Sequence, residues 1–377
     1  MALHVGVPRE TAPGERRVAL TPDVAGRLIK KGCTITVERG AGTAAYYPDA
    51  AYEAAGCRLS DRTEALQADV VAMVQPPADL DALRSGSVVV GMFRPLDDAE
   101  TAQRLAERGV TALAMELVPR TTRAQAMDAL SAMATVAGYK AVLLAADRLP
   151  KFFPLLTTAA GTVRPARVLV LGAGVAGLQA LATARRLGAV TAAYDVRPAA
   201  REQVESVGAQ FIELALETAD AEDARGYAKA LDQDQQQRQI EQLATLVGDY
   251  DVVITTALIP GRRAPLLISE DGVANMQAGS VIVDLAATNG GNCALTQPDQ
   301  EVERDGVRIL GPTNLPAEMP LHASQMYART VSALLLEFLS DKGFRLNFED
   351  DILKDTAVTH NGEIVNERVR GLVASAS

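Results

Sequence analysis

Residues 168–177 read VLVLGAGVAG, an apolar run that leads directly into the pattern Gly-x-Gly-x-x-Gly. A helical pattern follows, and a second short apolar run ends in Asp195. This order of strand, turn, helix and strand predicts a dinucleotide-binding domain. In such a domain Gly172 makes a tight turn, Gly174 lets the backbone approach a pyrophosphate, and Gly177 permits close contact between helix and strand.

The position of Asp195 bears on which dinucleotide the turn would accept. An acidic side chain at the end of the second strand accepts hydrogen bonds from a ribose diol and repels a 2′-phosphate, which favours NAD over NADP. The phosphates would lie on the amides at the N-terminus of the helix. The alternative is a glycine-rich turn between strand and helix that binds nothing.

The composition is that of an ordinary globular protein. The chain has 377 residues, enough for two or three domains, of which 48% are hydrophobic and 22% charged. Its net charge of −10 argues against nucleic acid and against direct docking on anionic lipid. We expect neither a signal peptide nor an apolar run of membrane-spanning length. The three cysteines show no disulfide or metal-ligand spacing, so the sequence predicts no metal site and favours a reducing cytoplasm.

Two successive blocks alternate strand and helix signals, which predicts two doubly wound, Rossmann-like α/β domains with parallel sheets. We predict a first domain at 1–125 that is completed by 330–377, and a dinucleotide-binding domain at 126–329. Ligands would bind in a cleft between the domains, beyond the carboxyl ends of the strands. Strands are predicted at 5–7, 34–37, 70–74, 87–90, 111–115, 168–171, 191–194, 210–214, 251–255, 280–284 and 307–310, and an extended tail at 358–365. Helices are predicted at about 22–31, 47–55, 98–108, 124–147, 178–187 and 320–338.

A polar insertion, Glu217 to Gln242, interrupts the second block and contains a single aromatic residue in the segment Gly226-Tyr227-Ala228. Two interpretations are open. The insertion is either a solvated loop and helix, or a mobile flap in which Tyr227 folds over a ligand.

The segment 119–131 places polar side chains before and within the predicted long helix. Gln125, Asp128 and Ser131 recur every third residue, so they would share one helix face. Polar groups on that face could reach a bound nicotinamide. The alternatives are a solvated face and a capping box, in which Thr122 and Gln125 only serve the start of the helix.

Two further polar segments are ambiguous. The block Asp284–Cys293 follows a predicted strand of the second sheet, where it could line the nicotinamide half of a cleft, although Gly290-Gly291 could be only a turn. Early in the chain, Arg17 could clamp an anion or pair with Glu15. The three histidines fall in no nucleophile or metal pattern, so the sequence gives little support to acid–base catalysis by histidine.

Taken together, these segments resemble the alanine dehydrogenase and pyridine nucleotide transhydrogenase superfamily over essentially the whole chain. The segments that carry the resemblance are Val5–Glu10, Glu15–Pro22 and Leu171–Ala180. Three others are similar to the α subunit of the transhydrogenase branch: Arg123–Asp128, Asp284–Cys293 without its central Thr288-Asn289, and Val358–Val365. An acid often stands in that branch where this chain has Thr288-Asn289.

Two positions separate the branches of this superfamily. Alanine dehydrogenases carry a substrate lysine in the segment that corresponds to Val70–Pro77, which contains no lysine here. They carry a catalytic histidine where this chain has Phe93-Arg94-Pro95. Oxidation of an amino acid needs a proton acceptor, whereas a hydride passes directly between two nicotinamides without one. The missing groups therefore favour transhydrogenation.

The resemblance implies an NAD(H)-binding subunit that works as a homodimer and passes a hydride to NADP+ on a separate NADP(H)-binding β subunit. That complex translocates protons through a membrane-spanning subunit. The present chain would be cytoplasmic, peripheral on the inner face of the membrane through its partners, and would not insert into the bilayer. The alternatives are an amino-acid oxidoreductase of the alanine dehydrogenase type and a non-catalytic NAD-binding module.

The resemblance also assigns site residues by motif. Those around the nicotinamide and its ribose are Arg120, Gln125, Ala126, Met127, Asp128 and Ser131, of which Arg120, Gln125, Asp128 and Ser131 would be catalytic. The remaining cofactor-binding residues are Gly172, Gly174, Val175 and Gly177 at the glycine turn, Asp195, Val196 and Arg197 at the adenosine ribose, Gly226 and Tyr227 in the mobile loop, and Gln239 and Leu258 by approximate register.

Overall fold

A computed structural model describes residues 2–215, 232–259 and 261–376. The chain divides into two compact units, one formed by Met1–Met133 with Pro316–Ser377 and the other by Ala134–Leu315. The two-segment first domain was predicted, but its second boundary, at 329/330, is wrong. That position lies inside the helix Pro320–Phe338, whose buried face packs within the first unit.

The described elements follow the predicted alternation closely. The strands are β1 His4–Val7, β2 Thr34–Glu38, β3 Arg58–Ser60, β4 Val70–Ala72, β5 Val88–Gly91, β6 Thr111–Ala114, β7 Leu156–Thr158, β8 Gly161–Val163, β9 Arg167–Leu171, β10 Val190–Tyr194, β11 Gln210–Phe211, β12 Val252–Thr255, β13 Val281–Asp284, β14 Glu301–Arg304, β15 Val307–Leu310, β16 Leu339–Ser340, β17 Gly343–Phe344, β18 Ala357–His360 and β19 Glu363–Ile364. The α-helices are α1 Pro22–Lys30, α2 Asp49–Ala54, α3 Arg62–Leu66, α4 Ala99–Glu107, α5 Ala129–Arg148, α6 Val175–Arg186, α7 Ala200–Ser206, α8 Gln233–Leu246, α9 Glu270–Ala274, α10 Pro320–Phe338, α11 Asp351–Thr356 and α12 Glu367–Ala376.

The sheet of the first unit has the strand order β19-β18-β6-β5-β4-β1-β2-β3. Strands β1 to β6 are parallel and follow the doubly wound order 3-2-1-4-5-6, so the predicted fold class is confirmed for this unit. The predicted extended tail forms β18 and β19, which pair antiparallel at one edge of the sheet. The other edge strand, β3, was not predicted because its three residues are short and mostly polar.

The sheet of the second unit has the order β11-β10-β9-β12-β13-β15-β14. Its six parallel strands repeat the order 3-2-1-4-5-6, and β14 adds an antiparallel edge. The strand β9 that precedes the glycine turn is central, with Val168 to Leu171 fully buried. Such a strand cannot shift without disturbing both neighbours, which makes the turn that follows it a rigid platform.

Helix α5 carries the chain from the first unit into the second. It is the one helix in the described part of the chain that is long and apolar enough to cross a membrane by length and composition. This length was not expected from the sequence, because Ser131, Thr135 and Lys140 interrupt the apolar run. Ala141, Val142 and Ala145 are fully buried in the core of the second unit, which is the behaviour of a core helix. On this helix Gly138 packs so closely on α6 that a Cβ would lie 2.1 Å from the carbonyl oxygen of Ala176.

Candidate functional site

The glycine turn after β9 shows why glycine is required at two of its positions. Gly172 has a φ of 98°, and a Cβ there would lie 2.8 Å from Oγ1 of Thr256. A Cβ on Gly177 would lie 2.0 Å from the carbonyl oxygen of Gly172, so only glycine permits this contact of α6 with the turn. These are the steric roles that the spacing predicted. A Cβ on Gly174 would meet nothing within 4 Å, so space is open beside the first residue of α6, Val175.

Asp195 follows β10 and binds back to the glycine turn. Its Oδ2 accepts a hydrogen bond of 2.8 Å from the amide of Ala173. The same carboxylate forms a two-point pair with Arg197, whose Nε and Nη2 each lie 2.9 Å from its oxygens, and it also accepts the Arg197 amide at 2.8 Å. The side chains of Asp195 and Arg197 are 6% and 17% exposed, respectively. The acid is therefore in the predicted place, but its charge is shared with a neighbouring arginine.

The remaining carry-overs in the second unit differ in position. Gln239 is 3% exposed and donates a hydrogen bond of 2.9 Å from Nε2 to the hydroxyl of Tyr194. It lies in α8, so part of the polar insertion is a helix anchored to the strand that precedes Asp195. Val196 is partly buried against the core on this side, and Leu258 is 41% exposed. Gly226 and Tyr227 lie outside the described residues.

The segment 119–131 is not folded as predicted. The long helix begins at Ala129 rather than near 124, and Gln125–Met127 forms a separate 3-10 turn. Asp128 lies between them with non-helical dihedrals. Its Oδ1 accepts the Ser131 amide at 2.8 Å and its Oδ2 accepts the Ser131 hydroxyl at 2.6 Å. Asp128 is therefore the cap of α5, and neither the shared helix face nor the capping box of Thr122 and Gln125 is present.

The 3-10 turn has a buried side and an exposed side. Ala124 and Met127 are buried, at 0% and 2% exposure, and the turn packs on α10. Gln125 and Ala126 are exposed, as is Arg120 before the turn. The turn thus presents Gln125 outward, while Met127 supplies packing through its side chain.

The block after β13 is organised by a buried carboxylate. Asp284 is fully buried and accepts hydrogen bonds from five donors: the hydroxyls of Thr255 and Thr296 and the amides of Ala286, Asn292 and Cys293. Gly291 has a φ of 77° and passes so close that a Cβ would lie 2.9 Å from Oδ2 of Asp284. The turn interpretation of this block accounts for the two glycines. Thr288 is exposed beside it.

At the carboxyl ends of the first sheet, Arg17 is held internally. Its Nε and Nη2 lie 2.7 and 2.6 Å from the carboxylate of Glu15, and Nε2 of Gln75 donates to the same carboxylate at 2.6 Å. Burial raises the pKa of Glu15, but the hydrogen bonds and charge of Arg17 outweigh it and lower this pKa to about 2. Of the two interpretations of Arg17, the ion pair with Glu15 is the one that the structure contains, and it is buried rather than on the surface.

Two acids near this pair were not singled out from the sequence. Glu10 follows β1 and accepts the amides of Val74 and Gln75 at 2.6 and 3.1 Å. Glu116 follows β6 and accepts the amide of Arg94, while its Oε2 is buried without a partner among the described residues. Burial raises the pKa of each carboxyl to about 7. Their signal was available in the sequence, since each follows a buried strand by two or three residues at the edge where ligands bind.

The N-terminal domain of the alanine dehydrogenase/PNT family matches residues 6–137, and the C-terminal domain of that family matches residues 141–367. The chain belongs to the alanine dehydrogenase/PNT family. It is 46% identical to the NAD(P) transhydrogenase subunit alpha of Cereibacter sphaeroides, with 96% of this chain and 71% of that one covered. It is 44% identical to an NAD(P) transhydrogenase subunit alpha chain of Rhodospirillum rubrum, with 98% of this chain and 99% of that one covered.

Solved structures of the alanine dehydrogenase/PNT family are similar over nearly the whole length. A transhydrogenase from Sinorhizobium meliloti matches with a TM-score of 0.87 at 42% identity, covering 96% of this chain and 100% of that one. An L-alanine dehydrogenase matches with a TM-score of 0.81 at 25% identity, with both chains fully covered. The alanine dehydrogenase of Bacillus subtilis is 29% identical over 97% of this chain and 93% of its own length. The predicted family is confirmed, and the higher identities lie with transhydrogenases.

Proposed function

We propose that this member of the alanine dehydrogenase/PNT family binds NAD(H) and exchanges a hydride directly with NADP(H) held by a partner subunit. The observation that carries this proposal is the internal pairing of Arg17. A substrate carboxylate at the first sheet would have to displace Glu15, which already takes two hydrogen bonds from Arg17 and one from Gln75. The names of the relatives, NAD(P) transhydrogenase subunit alpha, support the same assignment.

The glycine turn fits the pyrophosphate of NAD(H). The open space beside Gly174 lets a ligand approach the backbone, and α6 begins with Val175 at the turn, so its first amides are available. Asp195, Val196 and Arg197 would hold the adenosine ribose, and Leu258 would add an exposed apolar contact. Gln239 would act through Tyr194 rather than on the cofactor, because its side chain is buried and hydrogen-bonded there.

Around the nicotinamide the chain supplies position rather than proton transfer. The bound nicotinamide gives or takes the hydride, and no proton acceptor is needed because the hydride moves between two rings. Gln125 and Arg120 are exposed and could donate to the carboxamide or ribose. Asp128 and Ser131 would keep the start of α5 fixed through their mutual hydrogen bonds. Rate would then come from orientation, for which a displacement near 1 Å can cost roughly a hundredfold.

The partner proposals rest on the family. The partners would be an NADP(H)-binding β subunit and a membrane-spanning proton-channel subunit, and the chain would form a homodimer and sit peripherally on the inner face of the membrane. Gly226 and Tyr227 would form a mobile lid over bound NAD(H).

The test is reconstitution. The full chain is mixed with a purified NADP(H)-binding subunit of a related transhydrogenase, and reduction of a spectrally distinct NADP+ analogue by NADH is followed. We expect hydride transfer only when both proteins are present. A chain that binds NADH but transfers no hydride with any such subunit would be a non-catalytic binding module, and alanine-dependent reduction of NAD+ by the chain alone would make it an amino-acid oxidoreductase.

A further inference from the structure

Arg123 connects the Gln125 turn to two elements that lie more than two hundred residues away in sequence. Its Nη2 pairs with Asp350 and lies 3.5 Å from Oδ1 of Asp351, and its Nε lies 3.5 Å from Oε1 of Glu337. Glu337 is in the last turn of α10, and Asp350 caps α11 by accepting the amide of Ile352 at 3.0 Å. One guanidinium therefore ties the loop to the end of one helix and the start of another.

The turn that follows Arg123 needs such a tether because its other contacts are few. Ala124 and Met127 are the buried residues of the segment 119–128, and both are apolar. Apolar contacts resist removal from the surface of α10 but are non-directional, so they do not fix the orientation of an exposed side chain such as Gln125. A planar guanidinium held by several carboxylates is directional.

We propose that Arg123 is a positioning residue that sets the orientation of Gln125 for hydride transfer. This inference rests on the proposed function, in which Gln125 contacts the nicotinamide. The hydrogen bond from Arg123 lowers the pKa of Asp350, so the carboxylate stays ionised at neutral pH and the tether is closed there.

A purely structural role predicts a different result from a positioning role. The Arg123 side chain is 46% exposed, and exposed ion pairs contribute little to stability because water screens them. Loss of the tether should therefore barely change folding. It should slow hydride transfer if a small displacement of Gln125 is what the tether prevents.

The experiment compares R123Q, R123K and D350N with the unmodified chain in the reconstituted transhydrogenation assay. D350N is informative because asparagine caps a helix as well as aspartate does but lacks the charge. The matched control is R27Q, which removes another exposed arginine of the first unit, one paired with Asp23 at 2.7 Å within α1. For each variant kcat, the KM for NADH, the NADH dissociation constant by calorimetry and the melting temperature are measured.

We expect R123Q to lower kcat by about tenfold or more, within the range that a small misplacement of a reacting group can cause. NADH affinity and melting temperature should stay close to those of the unmodified chain, R123K should recover part of kcat, and R27Q should change nothing. Adding D350N to R123Q should cost little further activity, because both remove the same tether.

Unchanged kcat in R123Q, or a loss that is confined to KM or matched by R27Q, would overturn the positioning role while the proposed function stands. An unmodified chain that shows no transhydrogenation with the partner would overturn the proposed function and this role with it.

Discussion

Asp195 and Arg197 together should set the preference between NADH and NADPH. Like unit charges about 5 Å apart repel by about 3 kcal/mol at an effective dielectric constant of about 20, which is the penalty a lone carboxylate would impose on a 2′-phosphate. Arg197 offsets much of this penalty, because its Nε and Nη2 lie 2.9 Å from the carboxylate oxygens. We therefore expect the unmodified chain to prefer NADH by roughly tenfold to a hundredfold, about 1.4–2.8 kcal/mol.

Replacing Asp195 acts twice on this preference. The D195N variant removes the repulsion and also releases the guanidinium of Arg197, which can then donate to the phosphate; a hydrogen bond to a charged group contributes about 1.5–3 kcal/mol. The substituted amide oxygen can still accept the hydrogen bond from Ala173, so the glycine turn should stay in place. We expect D195N to bind NADPH at least as tightly as NADH.

The reciprocal and double variants make the reasoning refutable. R197Q leaves the carboxylate without its counter-charge, so it should increase the preference for NADH, whereas D195N/R197Q should bind both dinucleotides about equally. Calorimetric titration of the four proteins with NADH and NADPH measures all of these values. If D195N keeps a tenfold preference for NADH, about 1.4 kcal/mol, Asp195 does not face the ribose and the assignment is wrong.

Three further predictions concern other residues. Q125N should slow transhydrogenation by about tenfold or more with near-normal melting and NADH affinity; a normal rate would remove Gln125 from the nicotinamide site. The chain alone should not reduce NAD+ with alanine, since Arg17 is engaged by Glu15, and turnover near 1 per second or above, roughly that of an ordinary enzyme, would contradict the transhydrogenase proposal. Burial raises the pKa of Glu116 from 4.5 to about 7, so the folded state holds a proton that the unfolded chain loses, and stability falls as the pH rises through this range. E116Q should remove up to about 1.4 kcal/mol per pH unit of that fall, measured by thermal unfolding with the exposed E53Q as control, and an equally steep fall in E116Q would show that Glu116 is not the titrating group.

Most of the fold could be predicted because buried parallel strands leave a strong signal. Val168 to Leu171 and Val252 to Thr255 are continuous apolar or β-branched runs, and both are strands within a residue of the prediction. Strand β3 has no such run, since Arg58 is exposed at a sheet edge where burial does not constrain composition. Pairing order follows from neither pattern, although it decides where the site lies.

The helix start near Gln125 shows where periodicity misleads. Residues three apart share a face only if the helix runs through all of them, and Asp128 stops it by capping its own helix. The sequence contained that alternative, since aspartate is a preferred cap and Ser131 stands three residues later. The partners of Arg123 and Arg17 were less accessible. Asp350 is 227 residues from Arg123, and nothing local indicates such a contact.

The two sheets share one strand order but treat the same position differently. In both, the topological switch point lies beside the first strand, where ligands of doubly wound sheets bind. In the second unit that strand is followed by a glycine turn that leaves open space at Gly174. In the first unit it is followed by Glu10, whose carboxylate takes the amides of Val74 and Gln75 at the end of β4. Backbone donors that could have received an anionic ligand are thus used by a side chain of the protein, and an incoming phosphate would have to displace the Glu10 carboxyl to reach them. This internal occupant accounts for why a chain with two Rossmann-like sheets should hold one dinucleotide rather than two.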